Sequence, residues 1–269
     1  MAFETLLTDE SAPGVARITL NRPDHLNAYS YRMTQELQAA LDDFRDNDAQ
    51  RALILNGAGG RAFCAGGDIS GDDPEHSARV AAMPMGQGRE MREGMQAVVL
   101  RLRRLDKPSI AAISGYAVAG GLALALACDF RIAGAGAKLG DTSGKIGLLP
   151  DEGGAWLFPH FMGLDRALKM TLLSEVYGAE EAYRLGLLTE IVPDEALEAR
   201  ALDFAAALAA RAPLAVRLAK MMMLKAAETG LEHSLTDAQV AVMVTNTSQD
   251  VREGLKAFRE KRPPRFEGR

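Results

Sequence analysis

Two glycine-rich segments are where this sequence could bring backbone groups to bear on a ligand. One is Phe63-Cys64-Ala65-Gly66-Gly67-Asp68-Ile69, just after a buried apolar run. The other is Ser114-Gly115-Tyr116-Ala117-Val118-Ala119-Gly120-Gly121, where a strand pattern gives way to a helical one. Glycine has no Cβ, so a peptide N–H there can come close to a ligand. In the second segment the N–H would also stand at a helix N-terminus, where the dipole favours negative charge. Two such groups converging on one carbonyl make an oxyanion hole. The same residues equally suit two tight turns that hold no ligand. Other catalytic signatures are missing: there is no HExxH, GxSxG, GxxxxGK[ST] or strand-anchored GxGxxG. His25, His76, His160 and His233 are scattered without metal-ligand spacing, so no metal site is expected.

The elements that must position these segments alternate between two periods. Gly14–Asn21 alternates as a strand, and Ala52-Leu53-Ile54-Leu55 reads as a buried strand ending at Gly57-Ala58-Gly59-Gly60. Met33, Leu37, Leu41 and Phe44 share one face of a helix over Tyr31–Asp46. Asp72–Gln87 is loop-like, Gly88–Leu105 helical, and Ser109–Ser114 a strand. Gly120-Gly121 opens an apolar helix to Cys128, and Asp129–Ala133 is strand-like again. After Asp151 helices dominate. Asp194 is a candidate N-cap, and helices are expected over Glu195–Arg211, Pro213–Thr229, Leu231–Asn246 and Ser248–Lys261. Trp156 and Phe158 suit a core, with Trp156 also able to wall a pocket, and Met221-Met222-Met223 suits helix packing. The sequence therefore predicts an α/β core over 1–198 and a helical region over 199–269.

Composition narrows the function classes. With 48% hydrophobic and 25% charged residues in 269, the chain can bury a sizeable core. Its net charge is −5 with no long basic run, which argues against nucleic-acid binding by phosphate neutralisation. Cys64 and Cys128 form no CxxC pair, and the first residues lack the basic and apolar regions of a signal peptide. The longest apolar run, Tyr116 to Cys128, is too short to span a bilayer. A cytoplasmic protein without membrane association is expected.

The ordered set of motifs resembles the crotonase superfamily, also called the enoyl-CoA hydratase/isomerase family. It comprises Asn21-Arg22-Pro23-Asp24-His25-Leu26-Asn27-Ala28, the two glycine segments, Lys107-Pro108-Ser109-Ile110-Ala111-Ala112-Ile113 and Ala127-Cys128-Asp129. It continues through Ile146–Gly154, Ala182–Leu188 and Glu253–Arg262, so it covers nearly the whole length. The resemblance implies a right-handed spiral of ββα units with a C-terminal helical region that forms a homotrimer or homohexamer. It implies acyl-CoA thioester substrates, no metal or redox cofactor, and an enolate held by the backbone N–H groups of Gly67 and Gly120. It places CoA contacts at Leu26, Ala28, Ala65, Asp68 and Ile69, and further ones at Phe258 and Lys261.

The departures from the family pattern bear on the reaction. Family hydratases handle water between two glutamates; here those positions are Ala123 and Ser143. Alanine transfers no proton, and the serine hydroxyl is far too weak an acid to serve alone as a base near neutral pH. Asp151, in Leu148-Leu149-Pro150-Asp151-Glu152-Gly153-Gly154, stands where several non-hydratase members place a working carboxylate. A helix-start acid is also favoured by the dipole, and Asp151 could serve only as an N-cap. Glu152 is expected to point away or help the cap, Asp68 to be structural or near CoA, and Asp141 to be a lesser candidate. The reading is thus isomerase-type proton transfer by one carboxylate, Asp151. The rivals are hydration or hydrolysis, with water placed by Asp151 or Ser143, and a non-catalytic acyl-CoA-binding homologue.

Overall fold

The short apolar runs become the strands of two sheets that the chain visits in turn. The computed structural model of the protein describes residues 3–70 and 74–269. β1 (Leu6–Ala12) and β2 (Val15–Leu20) form an antiparallel hairpin, followed by α1 (Tyr31–Asp46), β3 (Ala52–Gly57) and β4 (Ala62–Cys64). Next come α2 (Pro74–Ala82), α3 (Gly86–Glu93), α4 (Met95–Arg104), β5 (Ser109–Ile113), β6 (Tyr116–Val118) and α5 (Gly120–Ala127). After β7 (Phe130–Gly134) and β8 (Lys138–Gly140) the chain forms α6 (Gly154–Met162), α7 (Leu164–Leu173), β9 (Val176–Gly178), α8 (Ala179–Arg184) and β10 (Glu190–Val192). It ends with α9 (Leu197–Ala209), α10 (Pro213–Ala226), α11 (Leu231–Thr247) and α12 (Gln249–Glu260). The larger sheet has the order β1-β2-β3-β5-β7-β10 and the smaller β4-β6-β8-β9. Each successive pair, β3 and β4, β5 and β6, β7 and β8, gives one strand to each sheet. Within a sheet these strands pair in parallel. This is the α/β spiral of ββα units that the motifs imply.

Strands buried on both faces explain the continuous apolar runs. Leu53, Leu55, Ala111 and Ile113 face the main core with α1, α4 and α5. Their alternates Ala52, Ile54, Ile110 and Ala112 face a second core against α9. Leu197, Ala201, Ala205 and Ala209 recur at helical spacing, and three alanines let α9 lie close to the sheet.

Several local expectations change. Residues 72 and 73 of the loop-like stretch lie outside the described residues, and Pro74–Ala82 within it is helical. The single helix expected over Gly88–Leu105 is divided at Gly94, where a Cβ would stand 2.8 Å from the Glu90 carbonyl oxygen. Asp194 does not cap α9; its carboxylate accepts the Gly136 N–H at 2.9 Å, and Ala196 occupies the cap position. Trp156 is exposed rather than core, stacked on His160 beneath the Arg103 guanidinium, whereas Phe158 is buried. Met221 and Met223 are exposed rather than packed.

A part-buried ion pair helps anchor α10 to the core. Lys220 of α10 meets Asp129 at 2.6 Å, with only 10% and 15% of the two side chains exposed. The same Asp129 oxygen accepts the Ser109 N–H at 2.8 Å, which joins the arm to the start of β5. Burial lowers the Lys220 pKa, and Asp129 opposes that shift. Removing one member of such a pair strands the other charge at a cost of about 3–5 kcal/mol. Lys220→Ala should therefore lose roughly that much stability in urea unfolding, and a loss below about 1 kcal/mol would show that water replaces the pair.

Candidate active site

Strand pairing brings the two glycine segments together. β4 and β6 are parallel neighbours, with Ala62 opposite Tyr116 and Cys64 opposite Ala117. The loops leaving their C-terminal ends therefore emerge side by side, Gly66-Gly67 from one and Ala119-Gly120 from the other. β8 pairs with β6 on the far side, so Asp141 leaves at the same end. Carboxyl ends of parallel strands are where open α/β sheets commonly bind ligands.

The backbone of both loops is held in unusual conformations. Gly66 has φ +99°, and an ideal Cβ on it would stand 3.5 Å from the Gly120 nitrogen. Ala119 has φ +50° and ψ −127°, a region costing an L-residue about 1–3 kcal/mol. Gly120 is the first residue of α5, so its N–H has no partner within the helix. Tyr29 N–H donates to the Gly66 carbonyl, and Asp68 N–H donates to the Tyr29 carbonyl. That bridge uses the peptides flanking Gly67 and turns the Gly67 N–H to the other side.

The Asn21–Ala28 segment is clamped beneath these loops. Asn27 is fully buried with φ +54°, and its amide donates to the Ala58 and Ala62 carbonyls at 3.0 and 2.8 Å. Ala65 N–H donates to Leu26, and Arg22 bonds Ala28 through its carbonyl and Asp68 at 2.6 Å. Leu26, Ala28, Ala65 and Asp68 thus form one group, with Ile69 beside them 70% exposed. Burial alone would raise the Asp68 carboxyl, but hydrogen bonds from Ser70 and Arg22 bring it below the usual range. Phe258 and Lys261 lie at the exposed end of α12, 84% exposed in the case of Phe258. Among the described residues neither has a hydrogen bond or ion pair to that group.

The acids divide sharply by environment. Asp151 has an exposed side chain, and its carbonyl accepts from Gln96 of α4 at 2.7 Å. It does not cap α6; Gly153 holds that position without a side-chain bond. Glu152 does not point away. It is only 7% exposed and accepts the Tyr29 hydroxyl at 2.5 Å. A Cβ on Gly120 would stand 2.5 Å from that hydroxyl and closer still to Glu152 Oε1. Asp141 is fully buried, and its Oδ1 accepts the Ser143 N–H at 3.0 Å. Asp141 Oδ2 and Glu152 Oε2 are buried without a hydrogen bond. Ala123 is fully buried in α5, so no acid enters from there. Burial pushes the Glu152 carboxyl above its ordinary value; Tyr29 opposes this, and the charges of Asp151 and Asp141 add to it. Burial and then Glu152 likewise raise Tyr29, with a further push from Asp151. Asp151 is thus close enough to act electrostatically on both members of the pair.

Sequence reasoning did not single out Tyr29 and misplaced Glu152. No periodicity distinguishes the orientations of two adjacent acids in a turn. Among the described residues no group of three His, Cys, Asp or Glu is arranged to hold a metal, and no helix is long and apolar enough to cross a membrane.

Comparison with known proteins agrees with this architecture. The family model described as enoyl-CoA hydratase/isomerase matches residues 10–269. The (E)-benzylidenesuccinyl-CoA hydratase of Thauera aromatica is 36% identical over 97% of this chain and 99% of its own. The 1,2-epoxyphenylacetyl-CoA isomerase of Escherichia coli strain K12 is 35% identical over 95% and 96%. The crystal structure of an enoyl-CoA hydratase from Bacillus anthracis superposes with a TM-score of 0.91 at 34% identity, covering 99% of this chain and 100% of that one.

The buried Glu152 should leave a signature in stability. With its pKa raised by folding, the native state keeps a proton that the unfolded chain releases once pH passes the ordinary carboxylate range. Stability is therefore lost as pH rises from there through the raised value. Glu152→Gln removes this loss, so its melting temperature should gain on the wild type as pH rises from the ordinary carboxylate range through the raised value. A difference that does not vary with pH would show that Glu152 titrates alike in both states.

Proposed function

The chain belongs to the enoyl-CoA hydratase/isomerase family, and from that premise we propose that it moves a proton on an acyl-CoA thioester. The thioester carbonyl accepts hydrogen bonds from the Gly67 and Gly120 N–H groups, which lowers the cost of the enolate. Asp151 is the proton-carrying carboxylate. The observation that carries this reading is the meeting of the two glycine loops at one sheet end, beside the Asp151–Glu152 turn. Ala123 and Ser143 supply no carboxylate to handle water, which favours isomerisation over hydration. Leu26, Ala28, Ala65, Asp68 and Ile69 contact the CoA, and the chemistry calls for no cofactor beyond that thioester.

Hydration is the second reading. The hydratase names of two of the three proteins above favour it, with water placed by Asp151 or Ser143. A panel of enoyl-CoA thioesters, phenyl-bearing ones included, followed by mass spectrometry separates the outcomes. Unchanged mass with altered absorbance means isomerisation, gain of water means hydration, and release of free CoA means hydrolysis. Binding without turnover across the panel would mark an acyl-CoA-binding homologue.

Gly120→Val should lower turnover at least a hundred- to a thousand-fold, the usual effect of losing one oxyanion donor. Asp151→Asn should bind acyl-CoA normally and lose about a hundred- to ten-thousand-fold in rate. A folded, fully active Asp151→Asn enzyme would remove the single-carboxylate mechanism and leave the family assignment intact.

Assembly as a homotrimer or homohexamer belongs to the same proposal, with Phe258 and Lys261 completing a CoA site. α11 has no buried residue and exposes Leu231, Leu235, Val240 and Met243. Light scattering at micromolar concentration should report three or six chains, and a monomer would refute it.

A further inference from the structure

We infer that Tyr29 is a positioning residue that ties the two glycine loops and the Asp151–Glu152 turn to one another, and so sets the geometry in which a thioester carbonyl is polarised. This inference rests on the acyl-CoA reading above and assigns the residue that holds its parts in register. Tyr29 meets all three segments. Its N–H donates to the Gly66 carbonyl at 2.9 Å, and its carbonyl accepts the Asp68 N–H at 3.0 Å, so its backbone brackets Gly67. Its ring lies over the same glycine: an ideal Cβ on Gly67 would stand 3.4 Å from the hydroxyl oxygen and 3.5 Å from Cζ. The hydroxyl also faces Gly120, where a Cβ would stand 2.5 Å away. That hydroxyl donates at 2.5 Å to Oε1 of Glu152, the neighbour of Asp151 in the chain.

The hydroxyl is what keeps the turn in place. Tyr29 and Glu152 are only 8% and 7% exposed, and a carboxyl is costly to bury without a partner. Among the described residues Glu152 Oε2 has no hydrogen bond, so the Tyr29 bond is the one that reaches Glu152 from a distant part of the chain. Without it the carboxyl gains by turning towards water, and the turn that carries Asp151 moves with it. On its other side this turn is held by Gln96 of α4, which donates to the Asp151 carbonyl at 2.7 Å. Tyr29 and Glu152 also fill the space where a Gly120 side chain would be, so they back the first residue of α5. Ala119, just before it, is strained at φ +50°, and such strain persists only where the surroundings over-determine the backbone.

Tyr29 acts through its neighbours and transfers no proton. Burial and then the Glu152 charge raise its pKa well above the ordinary phenol value, so near neutral pH the hydroxyl is a fixed donor. Glu152 likewise stays buried and serves as the acceptor that the hydroxyl holds. Hydrogen-bond donors aimed at an oxyanion work because they are in place before the charge develops. A misplacement of about 1 Å can cost about a hundred-fold in rate. The register of the two loops and the turn is therefore worth far more to the reaction than one hydrogen bond is worth to stability.

The test reads the carbonyl directly. Butanoyl-CoA labelled with carbon-13 at the thioester carbonyl is bound to the full-length protein, and its C=O stretch is followed by isotope-edited infrared spectroscopy. In the wild type the two N–H groups should lower that stretch below its value in free butanoyl-CoA. Tyr29→Phe keeps the ring and loses the hydroxyl. It should return most of the shift and slow α-proton exchange of the same probe in deuterium oxide about ten- to a hundred-fold, with Kd little changed. Glu152→Ala should match it, whereas Glu152→Gln still accepts the hydroxyl and should keep most of the shift. A merely structural Tyr29 would lower the melting temperature and leave the bound stretch where it is. An unmoved stretch in Tyr29→Phe, or a Glu152→Gln protein as impaired as Glu152→Ala, would overturn the positioning role and leave the N–H pair standing. Should Tyr29→Phe not fold, the two Glu152 variants decide by the same comparison. If the wild type leaves the stretch at its free value, the oxyanion reading falls and this inference falls with it.

Discussion

The α-carbons at the start of α5 lie so close to their neighbours that no side chain fits there. A Cβ on Gly121 would run into the Cys64 carbonyl of β4, and one on Gly120 would meet the Tyr29 hydroxyl and the Glu152 carboxyl. Each contact joins parts of the chain distant in sequence. This close approach lets the helix begin against the end of the smaller sheet, with its first N–H beside the Gly66-Gly67 loop. Ala119, at positive φ, turns the chain into that position, and its strain is borne by a surrounding core that is fully buried.

The core needed to hold such a junction comes from the central strands being buried twice. Their two faces serve two different apolar clusters, so β3 and β5 cannot slip by one residue without exposing both. α9 closes one face with small residues, and the opposite face carries the smaller sheet and α5. The loops of the site therefore leave rigid strand ends, and polar groups such as Asn27, Arg22 and Asp68 only tie down what the sheets have already placed.

Three carboxylates near one another would normally repel into solvent. Here Asp141 and Glu152 stay inside, each with one oxygen engaged and one unpaired, while Asp151 remains outside. That arrangement is unfavourable for stability alone, because buried carboxyls prefer full hydrogen bonding. Burial raises the Glu152 carboxyl, and the negative charges of Asp151 and Asp141 add to that shift.

The local patterns in the sequence were enough for the strand and helix elements around the site. Alternating and continuous apolar runs reflect which faces are buried, and the helix over Tyr31–Asp46 follows from the three- and four-residue spacing of Met33, Leu37, Leu41 and Phe44. The glycine pairs and the order of motifs also point to one family. What remained hidden was set by contacts across the chain. Asp194 leaves a cap for the Gly136 N–H, a residue 58 positions away in sequence. Most of all, Asp151 and Glu152 are adjacent acids of one turn, and nothing local orders them. Only the tertiary structure turns Glu152 inward, because the Tyr29 hydroxyl, 123 residues away in sequence, offers the hydrogen bond that makes burial of that carboxyl possible.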